Sequence, residues 1–173
     1  MNIFLCGLPT VGKTLFGKAF AKYLSISFFD IDDLIVSNYS NKLYSSAREV
    51  FQAVGEKEFA SLEVQALLAL PPNHSIIALG GGTIMHQEAF DIIKNKGTLV
   101  YLSLPITDIY KRLLQRGLPA RFEKAASVKE VLQQRINRMQ CIADYHFPLN
   151  HVNLLDEHSL SSACESLNTL LNL

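Results

Sequence analysis

The sequence predicts an α/β fold, a parallel sheet covered by helices on both faces. Three observations lead there. Short apolar runs of strand length alternate with segments whose apolar residues recur at helical spacing, the signature of strand–helix–strand crossovers. The chain has 173 residues, which suits one compact unit with a sizeable core. The stretches best suited to chemistry follow the first, second and third apolar runs, where open α/β sheets gather their ligands.

The elements follow in order. Asn2 to Cys6 is a short apolar run, readable as a buried strand. Leu15 to Leu24 is a helix, with Leu15, Phe16, Ala19, Phe20 and Leu24 on one face. Ile26 to Asp30 is a second strand that ends in an acidic cluster. From Ile31 to about Leu70 the pattern is helical, with interruptions near Ser40-Asn41 and Val54-Gly55, until Pro71-Pro72-Asn73 stops it. Ser75 to Leu79 is a third strand and runs into Gly80-Gly81-Gly82. His86 to Lys94 is helical, Thr98 to Leu102 is a fourth strand, and Ile106 to Gln115 is helical again. Arg116 to Ala126 mixes glycine, proline and charge, the composition of a mobile loop. Val128 to Ile142 is a long helix, Val152 to Leu155 a last strand, and His158 to Leu171 a closing amphipathic helix. Crossovers in such a sheet are right-handed. No repeat or linker divides the chain, so residues 1–173 are expected to form one domain.

Composition narrows the function classes. Hydrophobic residues make up 49% and charged residues 18%, with a formal net charge of zero. Bulk electrostatics therefore point neither to nucleic acid nor to a membrane surface. No apolar run approaches membrane-spanning length, and no basic segment followed by an apolar stretch marks a signal peptide. Cys6, Cys141 and Cys164 are odd in number and lack metal-ligand spacing, which fits a reducing, cytoplasmic setting.

Gly7 to Thr14 reads Gly-Leu-Pro-Thr-Val-Gly-Lys-Thr, the pattern of a phosphate-binding loop between a strand and a helix. Pro9, Thr10, Val11, Gly12, Lys13, Thr14 and Leu15 are candidates to hold a nucleotide, with the backbone N–H groups that follow Pro9 cradling its phosphates at the positive end of the helix. Lys13 would reach the β- and γ-phosphates, and the Thr14 hydroxyl would ligate Mg²⁺. Asp30 and Asp32 suit a division of labour: one carboxylate for the metal shell, the other to accept a hydrogen bond or proton from an attacking hydroxyl. Asp33 reads better as helix-start chemistry. Gly80, Gly81 and Gly82 allow close backbone approach to an acceptor. Among Arg112, Arg116, Arg121, Arg135 and Arg138, arginine's planar fork suits phosphate and carboxylate. Arg138 reads as a solvated helix face. Arg116 and Arg121 flank a stretch that could close over a nucleotide and exclude water. The histidines show no ligand spacing.

Taken together, Gly-Leu-Pro-x-x-Gly-Lys-Thr, Phe29-Asp30-Ile31-Asp32, Gly55-Glu56-Lys57-Glu58-Phe59 with Glu63, Gly80-Gly81-Gly82, and Arg135 followed by Ile142-Ala143-Asp144 resemble shikimate kinase over nearly the whole chain. The resemblance implies a P-loop kinase fold, a three-layer sandwich with five parallel strands in the order 2-3-1-4-5. It implies transfer of the γ-phosphoryl of ATP to the 3-hydroxyl of shikimate, with Mg²⁺. It implies that Asp32 binds the shikimate hydroxyls and serves as base, that Asp30 lies near the metal, and that Gly80, Gly81, Gly82 and Arg135 hold the acceptor. Arg135 would grip its carboxylate, and Arg112 would lie against adenine. The lid falls near residues 114–126 and the acceptor-binding helices near 31–70. A cytoplasmic monomer is expected.

Three departures stand out. The family's Gly-Glu-x-x-Phe-Arg ends here in Ala60, so one carboxylate contact is absent or supplied by another cation, with Lys57 and Arg48 as candidates. The lid arginine falls by count between Arg116 and Arg121, and Arg116 leads a Gly-x-Pro stretch that suits a hinge. Met139 replaces a tyrosine and is expected to pack. Two other readings accompany the first: a kinase for another hydroxylated acceptor such as a sugar acid, and a nucleotide-binding module without catalysis.

Overall fold

The computed structural model describes residues 2–39, 44–117 and 127–173. Five parallel strands form one sheet in the order β2-β3-β1-β4-β5. These are β1 (Asn2–Cys6), β2 (Ser27–Asp30), β3 (Ser75–Ala78), β4 (Gly97–Ser103) and β5 (Tyr145–Pro148). The helices are α1 (Lys13–Leu24), α2 (Ile31–Tyr39), α3 (Ala47–Ala69), α4 (Gln87–Lys96), α5 (Ile106–Arg116), α6 (Val128–Ile142) and α7 (Glu157–Leu171), with a 3₁₀ turn at Thr83–Met85.

Right-handed crossovers set the layers. From β1 the chain passes over β3 to reach β2 and then reverses direction, so α1 lies on one face and α3 on the other. The helices α1 and α7 pack together on the first face; α3 and α4 pack together on the second, where α6 also meets β4. The central strands are apolar on both faces: β1 and β3 are buried throughout, and Leu99 to Leu102 are buried in β4, as expected for parallel strands covered on both sides. Phe16, Phe20, Leu67, Ile93 and Leu167 carry the helices into this core.

One expected element is displaced. The last strand is Tyr145–Pro148, not Val152 to Leu155. In this edge strand Phe147 alone is buried, too weak an apolar signal to stand out in sequence. A side-chain clamp sets its position. Asp144 accepts from the Leu99 N–H at 2.8 Å and pairs with Lys94, while its own N–H donates to Leu99 O. The more apolar Val152–Leu155 lies beyond the sheet, and Leu155 is 88% exposed.

Arg138 also differs from expectation. Its Nε donates to Ile84 O at 2.7 Å and its guanidinium lies over the Phe90 ring. It ties α6 to the 3₁₀ turn rather than facing solvent. Met139 is buried in the core. Among the described residues, no helix is long and apolar enough to cross a membrane.

Candidate functional site

The carboxyl ends of β1, β2 and β3 open into a cleft of about 390 Å³. Pro9, Thr10, Gly12, Lys13, Thr14 and Leu15 form one wall. Asp30 and Asp32 stand at the end of β2 and the start of α2, and Gly80, Gly81 and Gly82 continue from β3. Arg116 lines the cleft from α5, Arg135 from α6, and Ala47, Arg48, Phe51, Phe59 and Glu63 from α3. The sheet therefore brings together residues more than a hundred positions apart.

The wall formed by residues 9–15 is a local structure. Gly12 stands at the N-terminus of α1, its carbonyl accepting from Phe16 N–H at 2.9 Å, so the positive end of the helix faces the cleft. Thr10 holds a positive φ of 68°. Arg112 Nη1 donates to Thr10 O at 3.0 Å. Arg112 thus braces the loop and does not line the cleft. Val11 is also off the cleft, buried beneath the loop. Lys13 Nζ donates to Gly7 O at 3.0 Å and to Leu8 O at 3.3 Å. Burial holds its pKa below the ordinary lysine value, and the nearby Asp32 carboxylate works in the opposite direction.

Thr14 Oγ1 donates to Asp30 Oδ2 at 2.7 Å, and Asp30 Oδ1 accepts from Asp32 N–H at 3.0 Å. A hydroxyl and a carboxylate in contact are hard oxygen donors of the kind Mg²⁺ takes alongside phosphate oxygens and water. Among the described residues no three His, Cys, Asp or Glu side chains gather around a metal position. A cation held by this pair would need its remaining oxygen donors from water or a ligand.

Elsewhere in the cleft, Arg135 is 8% exposed and its Nη1 donates to Gly81 O at 3.0 Å. Glu63, 1% exposed, accepts from Thr83 Oγ1 at 2.7 Å. Thr83 is the link that the sequence reading missed. Its signal was weak, a lone threonine after three glycines. Of the two cations weighed as substitutes for an arginine at position 60, Arg48 lines the cleft and Lys57 is exposed elsewhere on α3. Arg121 lies outside the described residues. Asp33 is exposed in the first turn of α2.

Comparison with known proteins finds relatives along nearly the whole chain. The model of the family "Shikimate kinase" matches residues 9–164. A curated shikimate kinase of Chlamydia pneumoniae is 49% identical over 174 residues, covering 99% of each chain. The crystal structure of shikimate kinase from Bacteroides thetaiotaomicron superposes with a TM-score of 0.79 at 26% identity, covering 100% of this chain and 99% of that one. The Acinetobacter baumannii enzyme, solved in complex with shikimate, shares the fold with a TM-score of 0.76 at 23% identity, over 99% and 93% of the two chains.

Proposed function

The chain belongs to the shikimate kinase family, and on that premise we propose that it transfers the γ-phosphoryl group of ATP to the 3-hydroxyl of shikimate. The observation that carries the reading is convergence. Lys13, the Thr14–Asp30 pair, Asp32, the three glycines and Arg135 all line one cleft at the carboxyl ends of the strands.

The roles follow from chemistry. The phosphate-binding loop and the N-terminus of α1 hold the triphosphate. Lys13 exchanges its two loop carbonyls for phosphate oxygens, and Arg116 approaches from the rim of the lid segment near 114–126. Both then neutralise charge on the transferring group, which is most of what phosphoryl transfer asks of a protein. Asp32 orients the 3-hydroxyl and accepts its proton at a carboxylate oxygen. Gly80, Gly81, Gly82 and Arg135 position the acceptor, with the helical region near 31–70 closing its pocket. Thr14 and Asp30 are the residues to hold Mg²⁺, which when bound screens the phosphate charge. Arg112 supports the nucleotide through the loop it braces. In this reading residues 1–173 form one kinase domain that works as a cytoplasmic monomer.

ADP release coupled to an indicator reaction tests the reading, with shikimate, gluconate and nucleoside monophosphates offered in parallel. Release is expected with shikimate alone; equal or greater release with another acceptor would overturn the assignment. Asp32→Asn is expected to lower kcat by about a hundredfold or more, while calorimetry shows ATP still bound. Full activity in that variant would remove Asp32 from the proton transfer.

A further inference from the structure

Arg135 and Arg48 line the same cleft but differ in character. Arg135 is buried and fixed on Gly81 O. Arg48 is exposed as a residue but lines the cleft beside Ala47 and Phe51. Its Nη1 comes within 3.9 Å of the point where a Cβ on Gly117 would lie. The guanidinium therefore reaches from α3 toward the end of α5, across the mouth of the pocket.

Local structure puts it there. Ser46 caps α3, its Oγ accepting from Glu49 N–H at 3.3 Å, and the Glu49 carboxylate is held by Ser45 N–H at 2.8 Å and Ser45 Oγ at 2.9 Å. This reciprocal cap fixes the first turn of α3, where Arg48 sits. Helix α3 then bends at Gly55, with φ 82° and ψ 176°. In a straight helix Phe51 and Phe59 would lie about 12 Å apart along the axis; here their ring centroids are 5.4 Å apart, edge to face. The bend folds the first half of α3 toward the second, so Arg48, Phe51, Phe59 and Glu63 surround one pocket. Ala60, half-buried on the second half, is not part of the cleft wall.

We propose that Arg48 is a specificity-determining residue that gives the acceptor's carboxylate its second guanidinium contact, alongside Arg135. This rests on the kinase reading above. The acceptor is a carboxylate, and a guanidinium fork matches its two oxygens. Arg135 binds from the buried wall, and Arg48 closes from the rim. The position that would otherwise supply a cation carries only the methyl group of Ala60.

Steady-state kinetics with ATP and shikimate, and with the uncharged methyl ester of shikimate, test this in wild type, Arg48→Ala, Arg48→Lys, Ala60→Arg and the Arg48→Ala/Ala60→Arg double variant. Arg48→Ala is expected to raise KM for shikimate about tenfold, the low end for a charge-assisted hydrogen bond because the residue is exposed. The ester should lose little, and KM for ATP should stay within about twofold, as for an interaction confined to the acceptor. Arg48→Lys should fall between. Ala60→Arg should restore most of the loss in the double variant, yet change wild type little. ADP-induced thermal stabilisation of Arg48→Ala confirms that the variant is folded. An unchanged KM for shikimate, an equal loss with the ester, or a rise confined to KM for ATP overturns the assignment of Arg48 while wild-type turnover keeps the kinase reading intact. A wild type that releases no ADP with shikimate overturns both.

Discussion

Gly80 stands where three functional groups meet. A Cβ at this position would lie 2.8 Å from Glu63 Oε1, 2.9 Å from Thr83 Oγ1 and 3.0 Å from Asp32 Oδ1. The missing side chain lets the Asp32 carboxylate and the buried Glu63–Thr83 pair pack against one backbone. Gly80→Ala is expected to displace Asp32 and to lower kcat/KM for shikimate by about tenfold to a hundredfold, the range for sub-ångström misplacement. KM for ATP should be nearly unchanged, which steady-state kinetics would read directly. The cysteines give a second prediction at this scale. Burial pushes the Cys6 thiol up to about 12 and the Cys164 thiol up to about 11, so both remain neutral and unreactive at neutral pH. Cys141 is exposed. Native alkylation followed by mass spectrometry should label Cys141 alone, with Cys6 and Cys164 reacting only after denaturation. The sequence could announce the glycines, the lysine and the carboxylates because each belongs to a contiguous motif. It could not announce that Thr83 orients Glu63, twenty positions away, because that bond exists only once the 3₁₀ turn meets α3.

Helix α3 shows how one residue shapes an element. No atom lies within 4 Å of where a Cβ on Gly55 would sit, so space does not require glycine there. The backbone does: φ 82° with ψ 176° is a region that side-chain-bearing residues almost never occupy. Gly55→Ala is therefore expected to cost about 1–3 kcal/mol of stability, measured by denaturant unfolding. It should also raise KM for shikimate, because a straighter α3 carries Phe51 and Arg48 away from the pocket. The interruption near Val54-Gly55 is legible in the sequence, but its direction is not. The edge strand gives the opposite lesson. Val152 to Leu155 has the apolar composition of a strand, yet the strand forms at Tyr145–Pro148, because the Asp144 clamp on β4 sets the register. An edge strand with one buried side chain carries little periodic signal, and a side-chain clamp carries none.

At the scale of the molecule, the cleft gathers Lys13, Arg48, Arg116 and Arg135 against Asp30, Asp32 and Glu63. Bound phosphate relieves the cationic wall, so nucleotide should stabilise the whole fold. ADP at about a hundred times its Kd is expected to add about 2.7 kcal/mol, raising Tm by roughly 5–10 °C for a chain of this size. A thermal shift with ADP, and none with adenosine, would locate the effect in the phosphates.

The sequence by itself determined the alternation of strands and helices, the phosphate-binding loop, the paired aspartates and the glycine run. All of these are written in neighbouring residues, through backbone torsions, apolar spacing and local hydrogen bonds. Tertiary structure alone decided which distant groups meet. Thr14 reaches Asp30, Arg112 braces Thr10, Arg135 fixes Gly81, and Arg48 rather than Lys57 faces the pocket. Crossover geometry and the bend at Gly55 set those meetings, and neither the handedness of a connection around a sheet nor the direction of a bend leaves a mark in a local window of residues.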